Sequence, residues 1–343
     1  MDSYSILASQ RAHTHVYISD ATTSEGAISM FSLGTNAPPV SGRVDIWRPR
    51  EVSQVDISPV HWNDLSSQEV MSTFKVYCPT HLLEERANGL SMTFHTPTLM
   101  NKIFLETERE ASIDLNGNLM DQLVAVGLVS ERGDVKIRDI WAEDIMLASA
   151  GGDILCYGTV EASLKAEVGG DGDFIARSVI GPKLEVLTNT GNISVWDDCH
   201  SESVLLISTA GNIYCNRMFS HSKVCIKDVG VATLNIINGS VDCVVNTGDI
   251  ITHIDNISED SFLEVQTGDI VINIKRNCSF RICLVSPATQ ISPHILNSGE
   301  FYIKDGLEYF VSGNTKETEE APCSLTVRCH NGLVTLNSPP PNK

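Results

Sequence analysis

From Val126 to Ile274 apolar residues fall on every second position in short blocks, and the blocks recur. Glycines mark the period at Gly133, Gly152, Gly172, Gly191, Gly211, Gly230, Gly248 and Gly268, in steps of 18 to 20 residues. Seven of the eight are followed by Asp or Asn and then an apolar residue, as in Gly152-Asp153-Ile154 and Gly211-Asn212-Ile213. Aligned on the glycine, columns emerge. Four positions after it stand Ile137, Cys156, Ala176, Val195, Cys215 and Ile272, with Thr252 as the polar member. Five before it stand Leu128, Leu147, Val186, Leu206, Cys243 and Leu263, and three before it Ser130, Ser149, Thr188 and Ser208. Alternation at period two places one face of a β-strand in a core. Each repeat therefore reads as strand, glycine turn, strand and a second, more variable corner.

Like residues at like positions predict stacking, because one coil cannot bury its apolar face alone and its neighbours do so. The expected fold is an all-β parallel β-solenoid of about 19–20 residues per coil, with irregular β caps at both ends. Two coils depart from the pattern: the one at Gly172 needs a one-residue slip (Leu164, Ala166, Val168), and Gly230 is followed by Val231. A hexapeptide left-handed helix would need an aliphatic residue every six positions, and a propeller would need blades of about 40–45 residues. Neither pattern is present, although Trp196-Asp197 occurs once.

Outside the repeat the period is lost. Residues 1–37 read as a flexible tail with an early strand at 28–31, and residues 38–122 as an irregular β leader with strands near 44–47, 74–77, 91–94, 103–105 and 112–115. A short helical turn is expected at 82–86, and Asn116-Gly117 is a hairpin signal. Residues 123–276 are the expected solenoid and residues 277–338 a C-terminal cap. In the cap, Asp305-Gly306 and Asn331-Gly332 each separate two alternating blocks and predict two hairpins. Thr315–Glu320 reads as a charged loop and residues 339–343 as an extended tail. Leader and cap would cover the end coils, whose open strand edges invite association.

The charge balance is −19, from 24 Lys and Arg against 43 Asp and Glu. Such a surface repels phosphate backbones and anionic bilayers, so nucleic acid is not an expected partner. No apolar run reaches the length of a membrane span. The first residues have neither the basic start nor the apolar stretch of a secretory signal, and the ten cysteines read as reduced thiols. The expected setting is intracellular, cytoplasmic or mitochondrial.

The repeated Thr-x-x-Gly-Asp/Asn-Ile units, the irregular β leader and the strand pair around Asn331-Gly332-Leu333-Val334 resemble the adhesin-like β-solenoid domain of unknown function. Among animal proteins the likeness, over roughly residues 91–336, is to the group called family with sequence similarity 185. The resemblance implies a right-handed, non-enzymatic solenoid, and it brings no catalytic residues.

Candidate chemistry is sparse. Asp134, Asp153, Asp173, Asp249 and Asp269, with Asn192 and Asn212, would line one corner. A row of carboxylates offers oxygens to Ca²⁺, but Asp and Asn also favour turns by bonding nearby backbone. Turn formation is the expected role, beside the structural turns at Gly133, Gly152, Gly172, Gly191, Gly211, Gly248 and Gly268. Gly169-Gly170-Asp171-Gly172-Asp173 approaches a calcium nonapeptide but carries Phe174 where an acid belongs, and reads as a corner for the slipped coil. Cys78/His81 and Cys199/His200 lack the second ligand pair that zinc needs. Lys183/Glu185 and Lys136/Arg138 share strands without extending into a cluster, as a solenoid hydrolase would require. No cofactor is expected. The reading is a scaffold for protein partners, with self-association through the coil ends as a further expectation and a carbohydrate-active or carbohydrate-binding β-helix as the alternative.

Overall fold

The computed structural model describes residues 113, 115, 125–219, 221–275, 280–312 and 323–338, and the backbone alone of residues 114 and 116–124 and of eight strands between residues 12 and 107. The chain is nearly all β, and its mostly parallel sheet winds as a β-solenoid of about seven turns. It divides into two compact units, Met1–Gly181 and Pro182–Lys343.

The first unit opens with strands β1 (Ala12–Ile18), β2 (Ala27–Gly34), β3 (Ser41–Trp47), β4 (Val52–Ile57), β5 (Val60–His61), β6 (Val70–Tyr77), β7 (Leu90–Thr96) and β8 (Lys102–Thr107). The first seven pair antiparallel among themselves: β1 and β3 flank β7, β2 joins β6 and also β8, and β4 and β5 lie on β3 and β6. Strand β8 runs parallel to the second half of β9 (Ile113–Ser130), with Lys102 opposite Ala125 and Thr107 opposite Ser130. The leader is thus joined to the first coil by β8, which pairs its edge in parallel, and by β1, whose Tyr17 lies opposite Asp114 of β9 in an antiparallel bridge. Two strands, β1 and β2, lie inside the segment read as a tail. The turn expected at 82–86 lies outside the described residues, as do the loop at 315–320 and residues 339–343.

Coils follow as β9, β10 (Val135–Ser149), β11 (Ile154–Val168) and β12 (Phe174–Thr188), the last crossing into the second unit. Strand β10 is parallel to β9 on one side and to β11 on the other. The variable second corner is a bend within each strand. In β10 and β11 the register shifts between Arg138 and Ile140 and again between Trp141 and Asp144. Asp139 takes a φ of 46° there, and its Oδ1 accepts from the Thr159 N–H at 3.0 Å in the next coil. Strand β9 passes through Asn116-Gly117 without turning back, so the hairpin expected there does not form. Strand β9 stays beside β10 on both sides of the dipeptide, Asn116 opposite Arg138 and Leu119 opposite Ile140, with a shift of register between them. The slip at the Gly172 coil is present: Ile145, Leu147 and Ser149 oppose Leu164, Ala166 and Val168.

The second unit continues with β13 (Ile193–Ser208), β14 (Ile213–Met218), β15 (His221–Val229), β16 (Ala232–Thr247), β17 (Ile250–Ile257), β18 (Ser261–Thr267) and β19 (Ile270–Ile274). Adjacent coils pair in parallel, for example Ile193 with Ile213 and Ile250 with Ile270. The Gly230 coil also slips: Leu206 and Ser208 oppose Val224 and Ile226, and a bulge between Ile226 and Val229 restores the register. Beyond Ile274 come β20 (Arg281–Ser286), β21 (Ala288–Ile291), a single helical turn α1 (Pro293–Leu296), β22 (Gly299–Lys304), β23 (Leu307–Ser312), β24 (Ser324–Cys329) and β25 (Leu333–Asn337).

Here the structure corrects the sequence twice. The period does not end at Ile274, and Asn331-Gly332 does not close a hairpin. Strands β24 and β25 form a further coil, parallel to β18 and β19, with Leu263 opposite Val327 and Ile272 opposite Leu336. On its other side this coil pairs with β20 and β21, which precede it in the sequence, Leu284 opposite Val327 and Thr289 opposite Val334. In space, residues 324–337 therefore lie between 261–274 and the coil at 281–291, out of sequence order. The Asp305-Gly306 hairpin does form, joining β22 and β23, and β23 pairs antiparallel with β20. The sheet order β18–β24–β20–β23–β22 ends the stack with an antiparallel cap.

The core lies inside the coils. Val135, Ile154, Phe174, Ile193, Ile213, Ala232, Ile250, Ile270 and Val334, each two positions after a corner glycine, are all fully buried. Burying a side chain of this size is worth about 1.5–3 kcal/mol, so a repeated column of them supplies the driving force for stacking.

Candidate functional site

The recurrent motif builds a corner, and its atoms can be followed one by one. In the first unit the Ser149 hydroxyl accepts from the Gly152 N–H at 2.8 Å and donates to the Gly133 carbonyl of the preceding coil at 3.0 Å. Ser130 caps Gly133 in the same way at 2.9 Å, and in the second unit the Ser208 hydroxyl donates to the Gly191 carbonyl at 3.2 Å. The buried serine column thus satisfies backbone groups that have no strand partner at the turn. Where Val245 and Val265 replace serine, the bond is made by backbone: the Gly248 N–H donates to the Thr267 carbonyl at 2.8 Å and the Gly268 N–H to the Asn331 carbonyl at 2.9 Å.

Glycine is required because the coils meet there. A Cβ on Gly152 would stand 2.4 Å from the Gly133 carbonyl carbon, on Gly211 2.3 Å from the Gly191 oxygen, and on Gly268 2.1 Å from the Gly248 oxygen. Gly332 repeats the pattern against the Gly268 oxygen at 1.9 Å, which makes it a ninth member of the column. The glycines of Gly169-Gly170-Asp171-Gly172 absorb the slip: Gly170 has a φ of 56° and a Cβ on Gly169 would meet the Ala150 carbonyl oxygen at 2.7 Å.

The acidic candidates follow each glycine and form ladders. Asp134 Oδ1 accepts from the Asp153 N–H at 3.1 Å, and Asp153 Oδ1 from the Asp173 N–H at 2.8 Å. In the second unit Asn192 Oδ1 accepts from Asn212 and Asn212 Oδ1 from Val231, each at 2.9 Å, while Asp249 Oδ1 accepts from Asp269 and Asp269 Oδ1 from Leu333, each at 2.8 Å. One oxygen of each of these accepting side chains is committed to the next coil's backbone. Asp and Asn do this equally well, since both present a carbonyl-type acceptor. The second oxygen of Asp134 meets Lys136 at 3.0 Å. Among the described residues no group of three or more His, Cys, Asp or Glu is placed to hold a metal ion.

The other candidates separate. Cys199 is buried, whereas His200 points the other way and stacks on Phe219 at 4.0 Å. Cys199 shares a hydrogen bond with Cys215 in the core, which lowers the Cys199 pKa and raises that of Cys215. Burial pushes the thiols of Cys156 and Cys243 far above their ordinary range. Cys78 and His81 lie outside the described residues. Lys183 and Glu185 pair with each other at 2.6 Å, and Arg138 lies over the Tyr157 ring at 5.6 Å.

An outward row stands five positions after each glycine; Trp196, Arg138 and Asn273 are legible in the sequence as outward members of it, but not the contacts that join the row. In the second unit it holds Trp196, Asn216, Asn235, His253, Asn273 and Asn337. Trp196 is half exposed and packs on Tyr214 of the next coil, ring centres 4.9 Å apart. Asn235 Nδ2 donates to the Tyr214 hydroxyl at 3.1 Å and to Asn216 Oδ1 at 3.2 Å. Asn337 Nδ2 donates to Asn273 Oδ1 at 3.2 Å further along. The charges beside the row are already matched: Arg217 Nε meets Asp198 Oδ1 at 2.6 Å. The result is a neutral strip of aromatic rings and amides. The signal was available, because the glycine alignment that gives the inward columns also gives this one.

Fold and corner together define a class, the parallel β-solenoid closed at the glycine corner by side-chain ladders. The model of the toastrack DUF4097 family, a domain of unknown function, matches residues 113–292, just over half of the sequence, and the chain belongs to that family. No curated protein matches it, and no solved structure does. Among the described residues no helix is long and apolar enough to cross a membrane.

Proposed function

We propose that this protein is a non-enzymatic scaffold that holds protein partners on the faces of its coils. The observation that carries the reading is the strip of Trp196, Tyr214, Asn216 and Asn235, in which the exposed Trp196 ring packs on a half-buried Tyr214 that is held by hydrogen bonds between coils. Aromatic side chains offer large contact area at small entropic cost, which is why interfaces are rich in them. By contrast, the residues of the recurrent motif are spent on the corner. The intracellular setting, cytoplasmic or mitochondrial, belongs to the same proposal and draws support from the free thiols of Cys156, Cys215 and Cys243. Kinship with the animal group named family with sequence similarity 185 is proposed on the Thr188-Asn189-Thr190-Gly191-Asn192-Ile193 type of unit.

The test is proximity labelling in cells with the intact chain and with a Trp196→Ala/Tyr214→Ala variant. The expected result is a set of neighbours that the variant loses while its fold, followed by circular dichroism, is kept. An identical set from both proteins removes the strip as the binding face. The same strip favours one second reading, a neutral carbohydrate, because sugar rings stack on aromatic faces and amides bond hydroxyl groups. Titration with neutral polysaccharides, read by tryptophan fluorescence, separates the two: a saturable change lost in Trp196→Ala supports the sugar, and a flat response removes it.

A further inference from the structure

Strand β22 is the outermost strand of the cap. Among the described strands it pairs with β23 alone. Phe301, Tyr302 and Ile303 in its middle are 42%, 45% and 67% exposed. Such a strand presents unpaired N–H and C=O groups beside apolar side chains, the combination that natural edges usually avoid.

The turn fixes which backbone groups are free. Asp305 and Gly306 have φ of 55° and 78°, so β22 and β23 are joined by a two-residue turn with both central residues left-handed. Lys304 and Leu307 flank it and form a hydrogen-bonded pair, and by alternation so do Tyr302 with Tyr309 and Glu300 with Val311. The N–H and C=O of Phe301 and Ile303 therefore point away from β23, off the edge of the sheet.

The sequence of the edge is self-complementary. If a second copy of β22 is laid antiparallel about Tyr302, Phe301 faces Ile303, Tyr302 faces Tyr302, and Glu300 faces Lys304 at both ends. Glu300 and Lys304 are both exposed. The groups pointing outward, on Phe301 and Ile303, then meet as two hydrogen-bonded pairs of the antiparallel kind. A shift of the register by two residues would break every one of these matches.

From this the geometry points to a homodimer formed by antiparallel β22–β22 pairing, edge to edge, with twofold symmetry through Tyr302. It gives the self-association expected from the coil ends one surface and one register, and it stands independently of the scaffold reading.

Sedimentation equilibrium of the full chain over a range of concentrations tests it. The expected behaviour of the intact protein is a monomer–dimer equilibrium. Lys304→Glu places like charges opposite each other twice per dimer and should weaken association by about tenfold, and Glu300→Lys should do the same. The double variant Glu300→Lys/Lys304→Glu restores both pairs and should return association to near its original strength. Ile303→Pro removes an outward N–H without touching the β23 ladder and should abolish the dimer. A protein that stays monomeric up to millimolar concentration overturns the proposal. So does a dimer that Lys304→Glu leaves unchanged, or one that the double variant fails to restore. The charge-swap variants remain decisive even if the proline variant loses its cap.

Discussion

A single Cβ decides whether the corner can close. Gly268 has a φ of 136° and would drive a Cβ to 2.1 Å from the Gly248 oxygen, whereas Gly306 has a φ of 78° and nothing within 4 Å. Gly306→Ala should cost only the strain of a left-handed alanine, about 1–2 kcal/mol. Gly268→Ala adds a backbone collision and should cost at least about 3 kcal/mol in urea denaturation. Thr252 makes the opposite case. Its hydroxyl is buried without a hydrogen-bond partner, in a column otherwise aliphatic or thiol-bearing. Thr252→Val keeps the shape and removes the orphan group, so it should stabilise by about 1 kcal/mol. The core thiols add a pH dependence. Cys156 and Cys243 are held neutral by burial, far above their ordinary range. The unfolded chain loses those protons above about pH 8.5 while the folded chain keeps them, so stability falls as pH rises, by about 1.4 kcal/mol per pH unit for each thiol. Denaturation midpoints measured from pH 8 to 10 should drop more steeply for the native sequence than for Cys156→Ala/Cys243→Ala.

At the level of strands, the inward columns were legible because one face of each strand is buried and its partners are like residues. The slip at Leu164, Ala166 and Val168 could be read for the same reason, yet the equivalent slip at Val224 and Ile226 was hidden by the bulge that follows it. The two Asn-Gly dipeptides misled for a physical reason. Asn-Gly favours a backbone reversal, but whether a hairpin forms depends on the partner strand. At Asn331-Gly332 the partners lie 61 to 64 residues back, in β18 and β19, and no local pattern reports that. The slotted coil also makes a prediction. Removing residues 323–338 leaves β18 and β19 on one side and β20 and β21 on the other without their shared neighbour. The shortened protein should bind a hydrophobic dye, and amide exchange should accelerate in β18 and β20 while β10 keeps its protection.

Taken over the whole chain, a stack of coils is stabilised mainly by contacts between neighbours, so its parts are removable in units. Deleting residues 212–230 joins Gly211 to Val231 and takes out one period. Ile193 would then face Ala232, keeping the inward columns aligned. That variant should still give a β-type circular dichroism spectrum and a cooperative transition at lower stability. Deleting residues 212–220 instead shifts the later strands by an odd number, turns their apolar faces outward and should leave the protein unfolded or aggregated. The sequence could show such modularity, since it is a property of the period. The edge at β22 was harder to see, because its significance lies in a position at the margin of the sheet and not in any repeated feature.

The corner ladder also has a direction. Each Oδ1 reaches forward: Asp134 to Asp153, Asp153 to Asp173, Asn192 to Asn212, Asn212 to Val231, Asp249 to Asp269, Asp269 to Leu333. Val231 interrupts the relay, and Leu333 has no oxygen to hand on. The next backbone N–H in the stack, that of Ala288, turns to its own Ser286 at 3.3 Å. The relay that seats one coil on another thus ends at Leu333, and the coil of β20 and β21 beyond it is held by strand pairing without that side-chain link.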